Sequence, residues 1–219
     1  MSQDKNAISS YKAQVEQYGI PISSEEFQEL RNYANNHGIK LSGFKDFVGD
    51  ISIIKTVLKD ICDISVDFPE ILDDRQGIWF ELDYDLGTDF ATTESGHIIH
   101  LNAVFYSNME MLTREYAKCE ADGRFVKGTD WRAIVRHEVG HVVANLYNID
   151  PMDLAKKLKG INSTADVLDI LTDELSMYST EYNDGREIIS ECFSGYYSNA
   201  GNDFADIYVK TCIDRSKGR

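Results

Sequence analysis

Positive charge is in short supply in this chain. Its 22 lysines and arginines face 37 aspartates and glutamates, a formal net charge of −15. Such a surface repels phosphate backbones, so nucleic acid is excluded as the expected partner. Proline is scarce too, with 3 in 219 residues, and 42% of the chain is hydrophobic. That composition belongs to a globular protein, not a disordered one. Long apolar runs are missing: none approaches the roughly 18 residues that span a bilayer, so no membrane partner is expected. The opening MSQDKNAISSYKAQ lacks the basic start and apolar stretch of a secretory signal. The four cysteines, Cys62, Cys119, Cys192 and Cys212, are scattered and form no C-x-x-C pair. A disulfide framework or a cysteine zinc site is therefore not expected, and reduced thiols are. These absences point to synthesis in a reducing cytoplasm without an export signal. A core of this size also forms without metal staples, so any metal would serve chemistry.

What is present reads as α+β. Ser23-Ser24-Glu25-Glu26 carries a capping-box start for a helix that runs to Gly38. A second helix is expected over residues 50–66, with Ile51, Ile54, Val57, Leu58, Ile61 and Cys62 on one face and Pro69 beyond its end. With residues 1–20 these form a helical lead-in, and residues 1–68 are set apart as an N-terminal region of unknown role. Strands are expected over 78–82 and 96–102, with a turn region over 87–94 between them. Helices follow over 108–121 and 131–147, and two or three more fill 152–217. Residues 69–219 form the second expected unit.

The chemistry is concentrated in one helix. His137-Glu138-Val139-Gly140-His141 is an HExxH motif. At 3.6 residues per turn, His137 and His141 share a face and can offer two imidazole nitrogens to one metal ion. Glu138 lies about 100° round the helix, placed to reach a metal-bound water as general base. Gly140 costs a helix interior about 1 kcal/mol, which suggests a close neighbour at that position. The bland alternative is a pair of histidines packed on a buried helix face.

Zinc requires a third protein ligand and one open position. No histidine follows His141, so a downstream carboxylate is the natural candidate. Glu187 and Glu191 lie four apart in EIISECFSGYY. One can bind metal while the other hydrogen-bonds a ligand histidine and fixes its tautomer. They could also be an ordinary exposed acidic pair, although Ile188, Ile189, Cys192 and Phe193 argue against full exposure.

HEVGH followed by LSMYS and EIISECFSGYY resembles the gluzincin metallopeptidases, whose third zinc ligand is a glutamate. More narrowly, it is similar to the catalytic domain of anthrax lethal factor and to zincin-like domains of phage head-morphogenesis proteins and polymorphic toxins. The resemblance covers residues 70–200. It implies a mostly helical zincin-like fold with a small twisted sheet, and one zinc held by His137, His141 and Glu187. Glu191 would be the partner of a ligand histidine, and Tyr178 would donate to the oxyanion, with Tyr182 as its rival. It implies hydrolysis of peptide bonds in a narrow protein target, in a protein associated with virions or delivered into another cell. A zincin-fold domain with a structural role and little proteolysis is the alternative. In such folds an edge strand binds substrate as an added antiparallel strand. Residues 96–102 are the first candidate for that role, and 78–83 the second. His97 and His100 are read as non-ligands. The negative charge suits a basic substrate or partner, or simple solubility.

Overall fold

The computed structural model describes residues 9, 10, 12, 13, 17, 19–73 and 77–218; thirteen of the first 20 residues, part of the expected lead-in, lie outside them. Helix α1 (Ser24–Asn36) starts as its sequence dictates: the Ser23 side chain accepts from the Glu26 N–H, and the Glu26 carboxylate accepts from the Ser23 N–H. Helix α2 (Ile51–Ser65) is capped by Asp50, which accepts from the Ser52 N–H. Its Ile54, Leu58 and Ile61 side chains are fully buried. Each contributes about 1.5–3 kcal/mol through that burial.

Four short strands form one mixed sheet: β1 (Lys40–Ser42), β2 (Trp79–Asp83), β3 (Ala91–Glu94) and β4 (Ile98–Asn102). Their order is β1-β2-β4-β3. The first three pair in parallel, and β3 runs antiparallel to β4. Alternation sends Phe80, Leu82, Ile99 and Leu101 into the core, while Glu81, Asp83 and His100 stand on the opposite face. Two expectations are corrected. The supposed turn region 87–94 contains β3, which returns to β4 through a short loop where Ser95 and Gly96 adopt positive φ. Residues 96–102 and 78–83 are also not edges: β4 and β2 are interior, and β1 and β3 are the outer strands.

The remaining elements are helical: α3 (Ala103–Tyr106), α4 (Met109–Ala121), α5 (Ala133–Leu146), α6 (Pro151–Lys159), α7 (Thr164–Glu174), α8 (Arg186–Tyr197) and α9 (Asp203–Lys217). Four helices thus follow residue 150, more than the two or three expected, because Gly160, Gly185 and Gly201, all at positive φ, divide the segment. A 3-10 turn at Tyr178–Thr180 precedes α8. The chain is α+β, mostly helical around a small mixed sheet. One hydrophobic core contains Leu30 of α1 and Ile213 of α9. A buried ion pair, Arg136 Nη2 to Asp60 Oδ1 at 3.1 Å, ties α5 to α2. This pair joins residues on the two sides of the boundary placed between 68 and 69. No helix among the described residues is long and apolar enough to cross a membrane.

Candidate metal centre

Helices α5 and α8 build the centre by lying unusually close. A Cβ added at Gly140 would stand 2.7 Å from Ser190 Cα, 3.1 Å from Ser190 N and 3.2 Å from Ile189 O. Glycine is needed there because backbone occupies the space a side chain would take. The Ser194 hydroxyl donates to the Ala133 carbonyl at 2.9 Å and holds the two helices in register.

That contact brings the sequence-predicted ligands together. His137 Nε2 and His141 Nε2 each lie 3.1 Å from Glu187 Oε2. These three residues form a group that could hold a metal ion. His137 and Glu187 are buried, whereas the His141 side chain keeps 24% of its surface exposed and opens the group toward solvent. The exposed-pair reading of the two glutamates is overturned: Glu187 is 5% exposed and Glu191 1%.

The donor chemistry fits a cation. His137 Nδ1 lies 2.9 Å from Glu191 Oε1. A carboxylate only accepts, so the imidazole proton is assigned to Nδ1 and the Nε2 lone pair faces Glu187. Glu187 Oε2 is itself buried without a well-formed hydrogen bond. Lone pairs at 3.1 Å repel unless a proton or a metal ion lies between them. In the metal-free state a proton takes that part. Burial alone would lower the His137 pKa, but the Glu187 and Glu191 carboxylates outweigh it and hold it well above the ordinary value. Burial likewise works to raise Glu187, yet the two imidazoles hold it well below the usual carboxylate range. Two nitrogen donors and one carboxylate oxygen, open toward solvent at His141, suit a divalent transition-metal ion.

Glu191 is anchored in turn. Ser176 Oγ donates to Glu191 Oε2 at 2.7 Å and accepts from the Ser179 N–H at 3.1 Å. The chain from Ser179 through Ser176 and Glu191 to His137 fixes the His137 ring. Ser176 was invisible in sequence, since a single serine near a predicted helix carries no signal of its own.

Glu138 is 6% exposed. Its Oε2 accepts from the Thr93 hydroxyl of β3 at 2.7 Å, and Oε1 accepts no hydrogen bond among the described residues. Thr93 was missed because the strand that carries it was read as a turn. Tyr178 packs against His137, ring centroids 5.5 Å apart. Burial first, and Glu187 next, push its phenol pKa far up, so it stays an O–H donor. Tyr182 is half exposed on the rim, with the Arg186 guanidinium over its ring. The Tyr178 ring is thus packed against His137, while Tyr182 borders the adjoining cavity half exposed. His97 and His100 stay apart from the group; His100 Nε2 instead lies 3.1 Å from Glu94 Oε2.

Beside the centre lies a cavity of about 200 Å³ bordered by β3, α5 and the Tyr178 turn. An aromatic chain walls it: His137 to Tyr178, Tyr178 to Phe125 at 5.9 Å, Phe125 to Tyr116 at 5.0 Å, and Tyr116 to Phe90 at 6.2 Å. Phe90, Phe125 and Tyr178 share the lining with the charged side chains of Asp89, Arg124 and Glu138, so the cavity has the mixed character of a side-chain subsite. No protein-family model, curated protein or solved structure matches the chain.

Proposed function

We propose that this chain is a zinc-dependent metalloendopeptidase of gluzincin type with a zincin-like fold, hydrolysing peptide bonds in a protein or peptide substrate. One observation carries the proposal. His137, His141 and Glu187 converge on a shared point, with the Glu138 carboxylate beside them and a cavity alongside. Glu187 Oε2 sits 3.1 Å from both Nε2 atoms with no well-formed hydrogen bond, an arrangement that a bound cation would satisfy. The antiparallel outer strand β3 lies against α5 through the Thr93–Glu138 bond. That placement suits the added-strand mode of substrate binding.

His137, His141 and Glu187 would hold the zinc, and Glu191 would keep His137 in the tautomer that ligates through Nε2. Zinc, when bound, supplies Lewis acidity: it lowers the pKa of a coordinated water and polarises the scissile carbonyl. Glu138 takes the proton of the attacking water at Oε1, the oxygen that Thr93 leaves free. Tyr178 donates its O–H to the carbonyl oxygen as negative charge develops there. Glu138 then delivers its proton to the departing amine, so the carboxylate is regenerated when the C–N bond breaks. The cavity, lined by aromatic rings together with Asp89 and Arg124, takes one side chain of the substrate and sets the position of the cut.

The test is cleavage of a peptide library by zinc-loaded wild type and by Glu138→Gln. Wild type should cut at defined positions. Glu138→Gln should keep its zinc and lose turnover by several orders of magnitude. Equal cleavage by both proteins would remove Glu138 from the chemistry and the proposal with it.

A further inference from the structure

Glu138 has three rotatable side-chain bonds, and a general base is useful only where its carboxylate is held in one place. The group that holds it comes from the sheet, not from the helix that carries it. Ala91 and Thr93 are the β3 residues paired with Leu101 and Ile99, so their side chains share the core-facing side of the sheet. From there the Thr93 hydroxyl donates to Glu138 Oε2 at 2.7 Å and approaches the Glu138 carbonyl oxygen at 3.3 Å. Threonine is branched at Cβ and its χ1 is stiff, so the hydroxyl direction follows the β3 backbone.

The same backbone faces the open edge of the sheet. The Asn102 N–H donates to the Phe90 carbonyl at 3.0 Å, immediately before the first paired rung of β3. Alternation along an antiparallel pair then turns the Phe90, Thr92 and Glu94 groups toward β4, and those of Ala91 and Thr93 away from it. No strand among the described residues pairs with β3 on that side.

We infer that Thr93 is a positioning residue. Its hydroxyl clamps one oxygen of Glu138, leaves the other for the proton, and ties the place of the base to the strand along which a peptide would lie. The inference rests on the metallopeptidase reading. Its test compares zinc-loaded wild type with Thr93→Val, Thr93→Ala and Thr93→Ser, by steady-state kinetics and by crystallography. Valine keeps the shape and removes the hydroxyl; alanine serves the same comparison if the valine protein does not accumulate folded; serine restores the hydroxyl. Losing a hydrogen bond to a charged group predicts a fall in kcat of about 10- to 100-fold in the valine and alanine variants. KM and zinc content should be unchanged, and serine should recover most of the loss. In crystals, Glu138 should leave its wild-type rotamer in the valine and alanine variants and keep it in serine. A valine protein with unchanged kcat and Glu138 in place overturns the inference. So does a serine variant as poor as valine, or a loss carried by KM. A wild type that binds zinc and cleaves nothing removes the peptidase reading instead. The Glu138 rotamer then decides the positioning claim alone.

Discussion

Replacing Gly140 by alanine sets two effects of opposite sign against each other. In an isolated helix the change would stabilise by about 1 kcal/mol. Here the new Cβ would lie 2.7 Å from Ser190 Cα, against backbone that no side-chain rotation can move. Bringing that contact to an ordinary 3.4 Å parts α5 and α8 by about 0.7 Å. Overpacking of this kind costs about 1–3 kcal/mol, and rigid backbone places the site at the upper end. The net expectation is a loss of about 1–2 kcal/mol, seen as a Tm lower by roughly 2–8 °C for a chain of this size. The metal centre should suffer more than the fold. Its histidines ride on α5 and Glu187 on α8, so the separation stretches the donor set directly. Zinc affinity, measured by competition with a chromophoric chelator, should fall at least tenfold. An alanine variant with a raised Tm and unchanged affinity would refute the reasoning, because the two helices would then have slack that the observed contact denies.

Other outcomes follow from the same geometry. Glu191→Gln should weaken zinc binding about 10- to 100-fold by releasing the His137 tautomer, and Ser176→Ala should weaken it less; competition titration measures both. Tyr178→Phe should lower kcat about 10- to 100-fold with zinc content unchanged, since it removes one donor to the developing oxyanion. The effect of pH on the metal-free protein has a definite sign. His137 is raised above 6.5, so its contribution is full below that value and is lost as pH rises through the folded-state pKa. Glu187 is lowered below 4.5, so its contribution is full above that value and is lost as pH falls through the folded-state pKa. The metal-free Tm should therefore peak between about pH 4.5 and 6.5. Zinc replaces the shared proton, so the Tm gain on adding zinc should grow from pH 5.5 to pH 8 in melting curves. A gain independent of pH would contradict the proton-for-metal exchange.

The parts legible in the sequence are those encoded within one element. HEVGH declares its face by helical spacing alone, and the Ser23–Glu26 box declares the start of α1. The cost of Gly140 in a helix signalled a close neighbour, though only the packed structure shows that it is Ser190. The Glu187–Glu191 spacing left burial open, because the same pattern serves a solvated acidic face; contact of α8 with α5 resolves it. Legibility ended where meaning depends on distant partners. Strands β1 and β3 have three and four residues, too short for alternation to register against the glycines and charges around them. Thr93 and Ser176 acquire their roles only when β3 meets α5 and the Tyr178 turn meets α8. The boundary at residue 68 followed a change of texture along the chain, while the Asp60–Arg136 pair joins the two sides.

The zinc content of the purified protein tests the central claim most directly. Wild type, His141→Ala and Glu187→Ala would be measured by elemental analysis after zinc loading and removal of excess. The three-ligand centre predicts about one zinc per chain in wild type and its loss in both variants, one changed in α5 and the other in α8. A wild type that holds no zinc, or variants that hold as much as wild type, would contradict it.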